Sequence, residues 1–279
     1  MHPLIFIVVI LHLTGCTSLL FQPVKKHADL PVQVLNNVED FTFKSIDGTN
    51  LHGWYLPSRS NPKKPKHTVL YLHGNAINIS SHLGGVYWLP EHDVEAYIFD
   101  YRGYGKSEGI AFLQGVLADI DAALTFVAER TPAERKVWVI GHSVGASMGI
   151  YSLSQFKAKD RLSGFISVSA FSDYHEITQE FLSRNWLTWS FQWPLSYTIN
   201  NEFSPKEYIN EINPLPIYLI HGNQDNIISP RHSKVLYEKA SNPKSLHLVD
   251  AKHNDIFVHS NVKNYVLNIL NGNNAALSD

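Results

Sequence analysis

The chain has 279 residues, enough for one large domain, and its 44% hydrophobic and 17% charged residues are typical of a globular protein. A formal net charge of −2 offers no electrostatic footprint for nucleic acid, so we expect no nucleic-acid partner. The single cysteine, Cys16, excludes an intrachain disulfide. One cysteine and singly scattered histidines do not favour a metal site, and we expect neither a metal nor another cofactor.

The N-terminus differs from the rest of the chain. Pro3 to Leu13 is almost wholly apolar and leads into Leu13-Thr14-Gly15-Cys16, a pattern typical of a secretory signal and its cleavage site. The last four residues resemble the lipobox of bacterial lipoproteins, in which the cysteine becomes the lipidated first residue. We therefore predict a signal peptide at residues 1–15 and a lipoprotein anchored to the membrane through Cys16, on the periplasmic side of the cell envelope. An ordinary signal peptide, an uncleaved anchor reaching Phe21 and a buried N-terminal helix stay open as alternatives.

Residues 16–37 are polar and contain prolines, which predicts a linker, and residues 38–272 form the predicted domain. Asp40–Lys44 alternates in a strand period and Leu51–Pro57 is a second strand. Because residues 47–50 between them are a turn signal, the two strands should form an antiparallel hairpin.

Further along, short apolar runs rich in β-branched or aromatic residues predict six more strands. They are Thr68–Leu72, Glu95–Phe99, Lys136–Ile140, Gly164–Val168, Pro216–Ile220 and Ser245–Val249. Runs that are apolar throughout indicate strands covered on both faces, as in a parallel sheet with helices above and below. Leu113–Glu129 is an amphipathic helix, and apolar residues at helical spacing continue over residues 146–153.

Residues 171–213 break this alternation of strands and helices, so we predict a small helical cap over the carboxyl edge of the sheet. The segment is rich in aromatic residues: Phe181, Trp186, Trp189, Phe191, Trp193 and Tyr197. They would either contact an apolar substrate or pack the insertion itself. Residues 273–279 are a predicted tail.

The motif Gly141-His142-Ser143-Val144-Gly145 lies between a predicted buried strand and a predicted helix. A serine on such a sharp turn has its hydroxyl exposed at the edge of the sheet, and the flanking glycines avoid collisions with the neighbouring elements. This context makes Ser143 the candidate nucleophile.

A serine nucleophile needs a base, and the base needs an acid that holds its tautomer. Asp225 follows the strand Pro216–Ile220 and His253 follows the last strand, so both should lie at the same edge of the sheet as Ser143. The chain order Ser143, Asp225, His253 is the order expected of this architecture. Asp173 is the rival acid, and Asp255 is a weaker one.

The reaction also needs donors for the oxyanion. We expect one from the backbone N–H of Val144, directly after the nucleophile, and one from Asn75 in the loop His73–Asn78 after a predicted strand. Gly74 in that loop would let its backbone approach a substrate closely.

Five motifs together resemble the α/β-hydrolase superfamily: His73-Gly74-Asn75-Ala76, Asp100 to Ser107, Gly141 to Gly145, His221 to Asp225, and His253-Asn254-Asp255. The chain is most similar to the branch that holds eukaryotic protein depalmitoylases and many bacterial hydrolases. The resemblance implies the α/β-hydrolase fold with an eight-stranded, mostly parallel sheet and a triad of Ser143, Asp225 and His253. It also implies that residues 100–107 form a structural loop that borders the site.

The sequence therefore predicts a serine hydrolase that cleaves carboxylic esters or thioesters of an acyl substrate through an acyl-enzyme. Peptide or amide hydrolysis by the same triad is the alternative. A non-catalytic binding protein with this fold is a third, which the intact triad argues against.

Overall fold

The computed structural model describes residues 21–184 and 186–273. The predicted signal peptide at residues 1–15, Cys16 and residues 274–279 of the predicted tail lie outside the described residues. The strands are β1 Glu39–Lys44, β2 Asn50–Leu56, β3 His67–Leu72, β4 Val94–Phe99, β5 Val137–His142, β6 Leu162–Val168, β7 Ile217–Gly222 and β8 Lys244–Val249.

The α-helices are α1 Val32–Leu35, α2 Ile79–His82, α3 Leu113–Arg130, α4 Val144–Gln155, α5 Tyr174–Ser183, α6 Gln192–Ser196, α7 Pro205–Tyr208, α8 Arg231–Lys239 and α9 Ser260–Leu270. None of the helices within residues 21–184 and 186–273 combines the length and the hydropathy that a membrane crossing requires.

All eight strands belong to one sheet in the order β1-β2-β4-β3-β5-β6-β7-β8. β1 and β2 are antiparallel, as are β2 and β4, whereas the pairs from β4 through β3 to β8 are parallel. The predicted α/β-hydrolase fold with a mostly parallel eight-stranded sheet is therefore confirmed.

Hydrophobic clusters cover both faces of the sheet. Successive side chains of a strand point to opposite faces, so Leu70 and Leu72 of β3 join a cluster with α3 and α4. Val69 and Tyr71 join the cluster on the other face, with α9. Burial on both faces explains why the central strands are apolar at every position.

Because β3 to β8 run parallel, their carboxyl ends meet at one edge of the sheet. The loops after β3, β5, β7 and β8 lie there and carry Asn75, Ser143, Asp225 and His253 respectively. The predicted insertion at residues 171–213 follows β6 and is helical, with α5, α6 and α7 and two 3₁₀ segments.

The predicted linker differs from the structure over its described part, because residues 21–28 pack against the domain. Val24 N–H donates to the Ile77 carbonyl at 2.9 Å, and Ile77 N–H donates to the Gln22 carbonyl at 3.0 Å. Phe21 is buried, and Ala28 N–H donates to a side chain more than fifty residues away. The polar composition of this segment predicts a linker because composition does not show hydrogen bonds to residues that are distant in the sequence.

Candidate active site

Ser143 lies on the turn between β5 and α4 with φ 56° and ψ −123°, a conformation that non-glycine residues rarely adopt. Its N–H donates to the Val168 carbonyl at 2.8 Å, which fixes the turn to the neighbouring strand. A Cβ atom at Gly145 would lie 2.4 Å from the carbonyl oxygens of Leu72 and His73. Only glycine therefore lets α4 start this close to β3.

The structure brings Ser143, His253 and Asp225 together. His253 Nε2 lies 2.9 Å from Ser143 Oγ, and His253 Nδ1 lies 2.6 Å from Asp225 Oδ2. All three side chains are buried from solvent. This geometry allows the imidazole to accept the serine proton while the carboxylate holds the Nδ1–H tautomer.

Asp225 is held as a carboxylate by several donors. Its Oδ1 accepts the N–H groups of Ile227 and Ile228 at 2.8 and 2.9 Å. His221 Nε2 lies 3.3 Å from Oδ2. Burial alone would raise the pKa of Asp225, but hydrogen bonds from His221, His253 and the Ile228 N–H lower that pKa well below its usual range. The acid beside His253 is therefore ionised at neutral pH.

The rival acids are engaged elsewhere. Asp173 is the N-cap of α5, where Oδ1 accepts the Glu176 N–H at 2.9 Å. Its Oδ2 binds Asn201 Nδ2 and Lys206 Nζ, each at 2.9 Å. Asp255 Oδ1 accepts the Lys252 N–H at 2.6 Å. Neither carboxylate is bonded to His253.

The loop after β3 lies against the nucleophile, because a Cβ atom at Gly74 would be 3.4 Å from Ser143 Cβ. The side-chain oxygen of Asn75 accepts three donors that fix this loop, the N–H groups of Gln22 and Ala76 and the hydroxyl of Tyr104.

The N–H of Val144 is the first of α4, and the first N–H groups of a helix have no acceptor within that helix. Of the two residues predicted as oxyanion donors, Val144 directly follows Ser143, and Asn75 follows Gly74 in the loop that lies against Ser143.

Two histidines to which the sequence assigned no role support the site, the half-buried His82 and the buried His142. His82 Nε2 lies 3.1 Å from the carbonyl oxygens of Asn75 and Ala76, and it holds the loop where Ala76 has a φ of 65°. His142 Nε2 lies 3.1 Å from the His253 carbonyl. Burial, with a smaller effect from His253, lowers the pKa of His142 to about 3, so this ring is neutral and donates from Nε2.

A cavity of about 370 Å³ opens beside His253. Its lining residues come mainly from the loops after β3 and β8, with others from β3, β5, α2 and the short 3₁₀ segment after α2: Tyr71, Asn75, Ala76, Ile77, Ser81, His82, Gly84, Gly85, His142, His253, Asn254, Ile256, Phe257 and Val258. This cavity offers space for part of a substrate next to the imidazole. A larger hollow of about 760 Å³ lies between β1, α3 and the end of α4, and none of the triad residues lines it.

The segment 100–107 has a structural role in this arrangement. Asp100 accepts the Ile79 N–H at 3.0 Å and lies 2.8 Å from His27 Nε2 and 3.3 Å from His52 Nδ1. His27, His52 and Asp100 each offer one atom that could bind a metal ion, and the three atoms lie within 4.8 Å of one another. A Cβ atom at Gly105 would lie 2.0 Å from Asp100 Oδ2, so backbone occupies the space beside the cluster. The hydrogen bonds tie the N-terminal segment to the sheet.

Comparison with known proteins gives consistent matches. Residues 63–209 match a family model described as serine aminopeptidase, S33. The protein YfhR of Escherichia coli O157:H7 is 32% identical over 248 residues, which cover 85% of this chain and 84% of that protein. The alpha/beta hydrolase domain-containing protein WAV2 of Arabidopsis thaliana is 28% identical over 226 residues, 78% of this chain and 71% of that protein. The solved structure of the Pyrococcus furiosus esterase Pf2001 has a TM-score of 0.73 at 21% identity, over 90% of this chain and 97% of that chain.

Proposed function

The chain belongs to the serine aminopeptidase S33 family within the α/β-hydrolase superfamily, and on that premise we propose that it is a serine hydrolase that cleaves carboxylic esters or thioesters. The observation that carries the proposal is the pair of hydrogen bonds that joins Ser143 Oγ to His253 Nε2 and His253 Nδ1 to Asp225 Oδ2. A serine hydroxyl becomes nucleophilic only beside such an oriented base.

In the proposed reaction, His253 Nε2 accepts the proton of Ser143 as Oγ attacks the substrate carbonyl carbon. The N–H groups of Val144 and Asn75 stabilise the negative charge on the carbonyl oxygen. The imidazolium then donates its proton to the departing alcohol or thiol, which leaves an acyl group on Ser143. A water molecule gives its proton to His253 and attacks the acyl-enzyme, and the serine recovers its proton as the acid product leaves.

Amide cleavage by the same triad is the second candidate, and the aminopeptidase description of the matched family favours it. An aminopeptidase must hold the charged amino terminus of its substrate, for which a carboxylate is the natural partner. None of the residues that line the cavity beside His253 is Asp or Glu. This lining supports an ester or thioester, in agreement with the structural likeness to the Pyrococcus furiosus esterase.

The test compares short p-nitrophenyl esters, acyl thioesters and aminoacyl p-nitroanilides as substrates of one preparation. We expect kcat/KM for the esters and thioesters to exceed that for the anilides by roughly 100-fold or more. Ser143→Ala should lower ester hydrolysis by roughly 10⁴-fold or more. Anilides cleaved as well as esters would favour the peptidase, and full activity of Ser143→Ala would exclude the triad.

We also propose that the chain acts at a membrane, through a lipid on Cys16, on the extracytoplasmic side of the cell envelope. The support is the apolar run from Pro3 to Leu13 and the Leu13-Thr14-Gly15-Cys16 pattern that follows it. Mass analysis of the mature N-terminus tests this. A lipidated Cys16 is expected, and an unmodified Cys16 still preceded by residues 1–15 would contradict it.

A further inference from the structure

The cap carries six exposed aromatic side chains within residues 181–197. We name this surface the aromatic cap face and define it as Phe181, Trp186, Trp189, Phe191, Trp193 and Tyr197, which are 57% to 83% exposed. Leu187 and Leu195 are exposed among them. Soluble monomers rarely expose apolar patches of this kind unless the patch meets a partner or a membrane.

The charge of the segment suits a lipid surface. Between Phe181 and Asn201 the sequence has no Asp or Glu, and Arg184 is its single charged residue. The acids of α5 that precede this stretch are paired, since Glu176 binds Lys206 and Arg231. Glu180, which lies 3.5 Å from Arg231, and the exposed Glu202 flank the stretch, so residues 181–201 themselves carry no carboxylate that anionic lipid headgroups would repel.

The N-terminal segment and the cap that carries the face both lie at the carboxyl edge of the sheet. The described chain begins at Phe21, and Gln22 to Val24 bond to Ile77 in the loop after β3. The cap follows β6, and only β5 separates β3 from β6 in the sheet. Strands lie about 4.8 Å apart, so these two carboxyl ends are roughly 10 Å from each other. The described chain therefore begins beside the sheet edge from which the cap arises, and the anchor proposed at Cys16 lies only five residues before Phe21.

We propose that the aromatic cap face docks onto a lipid bilayer, with its tryptophan and tyrosine rings at the level of the headgroups. Trp and Tyr are the residues that favour this depth, because their rings combine an apolar body with a polar N–H or O–H. Docking there places the edge of the sheet with Ser143 towards the membrane. The proposal depends on exposure, charge and position, and it holds whatever bond Ser143 cleaves.

Fluorescence quenching by brominated lipids tests the docking directly. The 279-residue chain is reconstituted with vesicles of phosphatidylcholine and phosphatidylglycerol, with or without bromine on the acyl chains. Three of the six tryptophans belong to the face, so we expect bromine to remove about half of the emission. The variant W186F/W189F/W193F keeps the face apolar, and its remaining emission should be insensitive to bromine.

A second variant weakens the face and leaves its tryptophans as reporters. F181S/F191S/Y197S should lose most of the quenching, whereas Ile46→Ser, an exposed apolar residue on the turn between β1 and β2, should keep it. A melting temperature within a few degrees of that of the parent chain shows that the variant folds. Vesicle-bound parent chain without quenching would overturn the proposal, since the face would then be covered by residues 1–20 or by a second copy. Failure of the chain to bind vesicles would overturn it as well.

Discussion

At the scale of single residues, Asp225 and Asp173 illustrate what chain order decides and what it leaves open. Both follow a central strand, so the sequence makes each a possible acid, and the expected order of the triad favours Asp225. The structure adds the physical reason, because Asp225 Oδ2 lies 2.6 Å from His253 Nδ1 while Asp173 caps α5 and binds Lys206.

Asp225→Asn should lower kcat for an ester by roughly 10⁴-fold with the fold retained, because a neutral amide no longer favours the Nδ1–H tautomer. Steady-state kinetics and a melting curve on the same sample check this.

Asp173→Asn is the matched control. It should keep kcat within a few-fold and lose about 1 kcal/mol of stability, since a helix cap and an ion pair are weakened. An inactive Asp173→Asn beside an active Asp225→Asn would reverse the assignment of the acid.

His82 and His142 were not predictable from the sequence. His82 supports the loop at Asn75, and His142 supports the carbonyl of His253, which is 111 positions away in the chain. A local pattern carries no information on such contacts. The only available signal was that His142 occupies the variable position directly before the nucleophile.

At the scale of elements, the eight strands and the helices α3 and α4 are predictable to within two residues at their ends, whereas the sequence analysis predicts neither α8 nor α9. β3 was predicted at Thr68–Leu72 and lies at His67–Leu72, and α3 was predicted at Leu113–Glu129 and lies at Leu113–Arg130. These elements have a strong apolar period, which sequence alone displays. Composition does not show the packing of residues 21–28 against the domain or the exposure of the cap aromatics. Both depend on neighbours that are distant in the sequence.

Gly145→Ala tests how tightly α4 approaches β3. The added Cβ would lie 2.4 Å from two backbone carbonyl oxygens, which cannot rotate away, so we expect a loss of about 1–3 kcal/mol in the free energy of unfolding. Ester hydrolysis should fall with it, because Ser143 lies two residues away. Urea unfolding measures the first effect.

Gly84→Ala is the control for that substitution, because a Cβ there meets nothing within 4 Å. Its stability should stay within about 0.5 kcal/mol of the parent. Equal stability of both variants would show that the close approach at Gly145 is not required.

At the scale of the whole molecule, buried neutral histidines make stability depend on pH. Burial lowers the pKa of His73 and of His142 to about 3, whereas an exposed histidine titrates near pH 6.5. Between about pH 3 and 6.5 the unfolded chain therefore binds more protons than the folded chain. The stability that these rings contribute is complete above about pH 6.5 and is lost as the pH falls.

Urea unfolding between pH 7 and 5 should show a free energy of unfolding that falls as the pH is lowered, with a slope approaching about 1.4 kcal/mol per pH unit for each histidine. His142→Gln should have a shallower pH dependence, since it removes one of the buried histidines whose pKa is lowered. An identical slope in the variant and the parent would contradict a neutral, buried His142.

The proposed function depends above all on Ser143 being a nucleophile that His253 activates. The most direct measurement is covalent labelling of the chain with a fluorophosphonate, followed by mass mapping of the modified peptide. We expect one phosphonyl group, on Ser143, with labelling abolished in Ser143→Ala and slowed by roughly 100-fold or more in His253→Ala. A parent chain that stays unlabelled, or a Ser143→Ala variant that labels equally well, would contradict it.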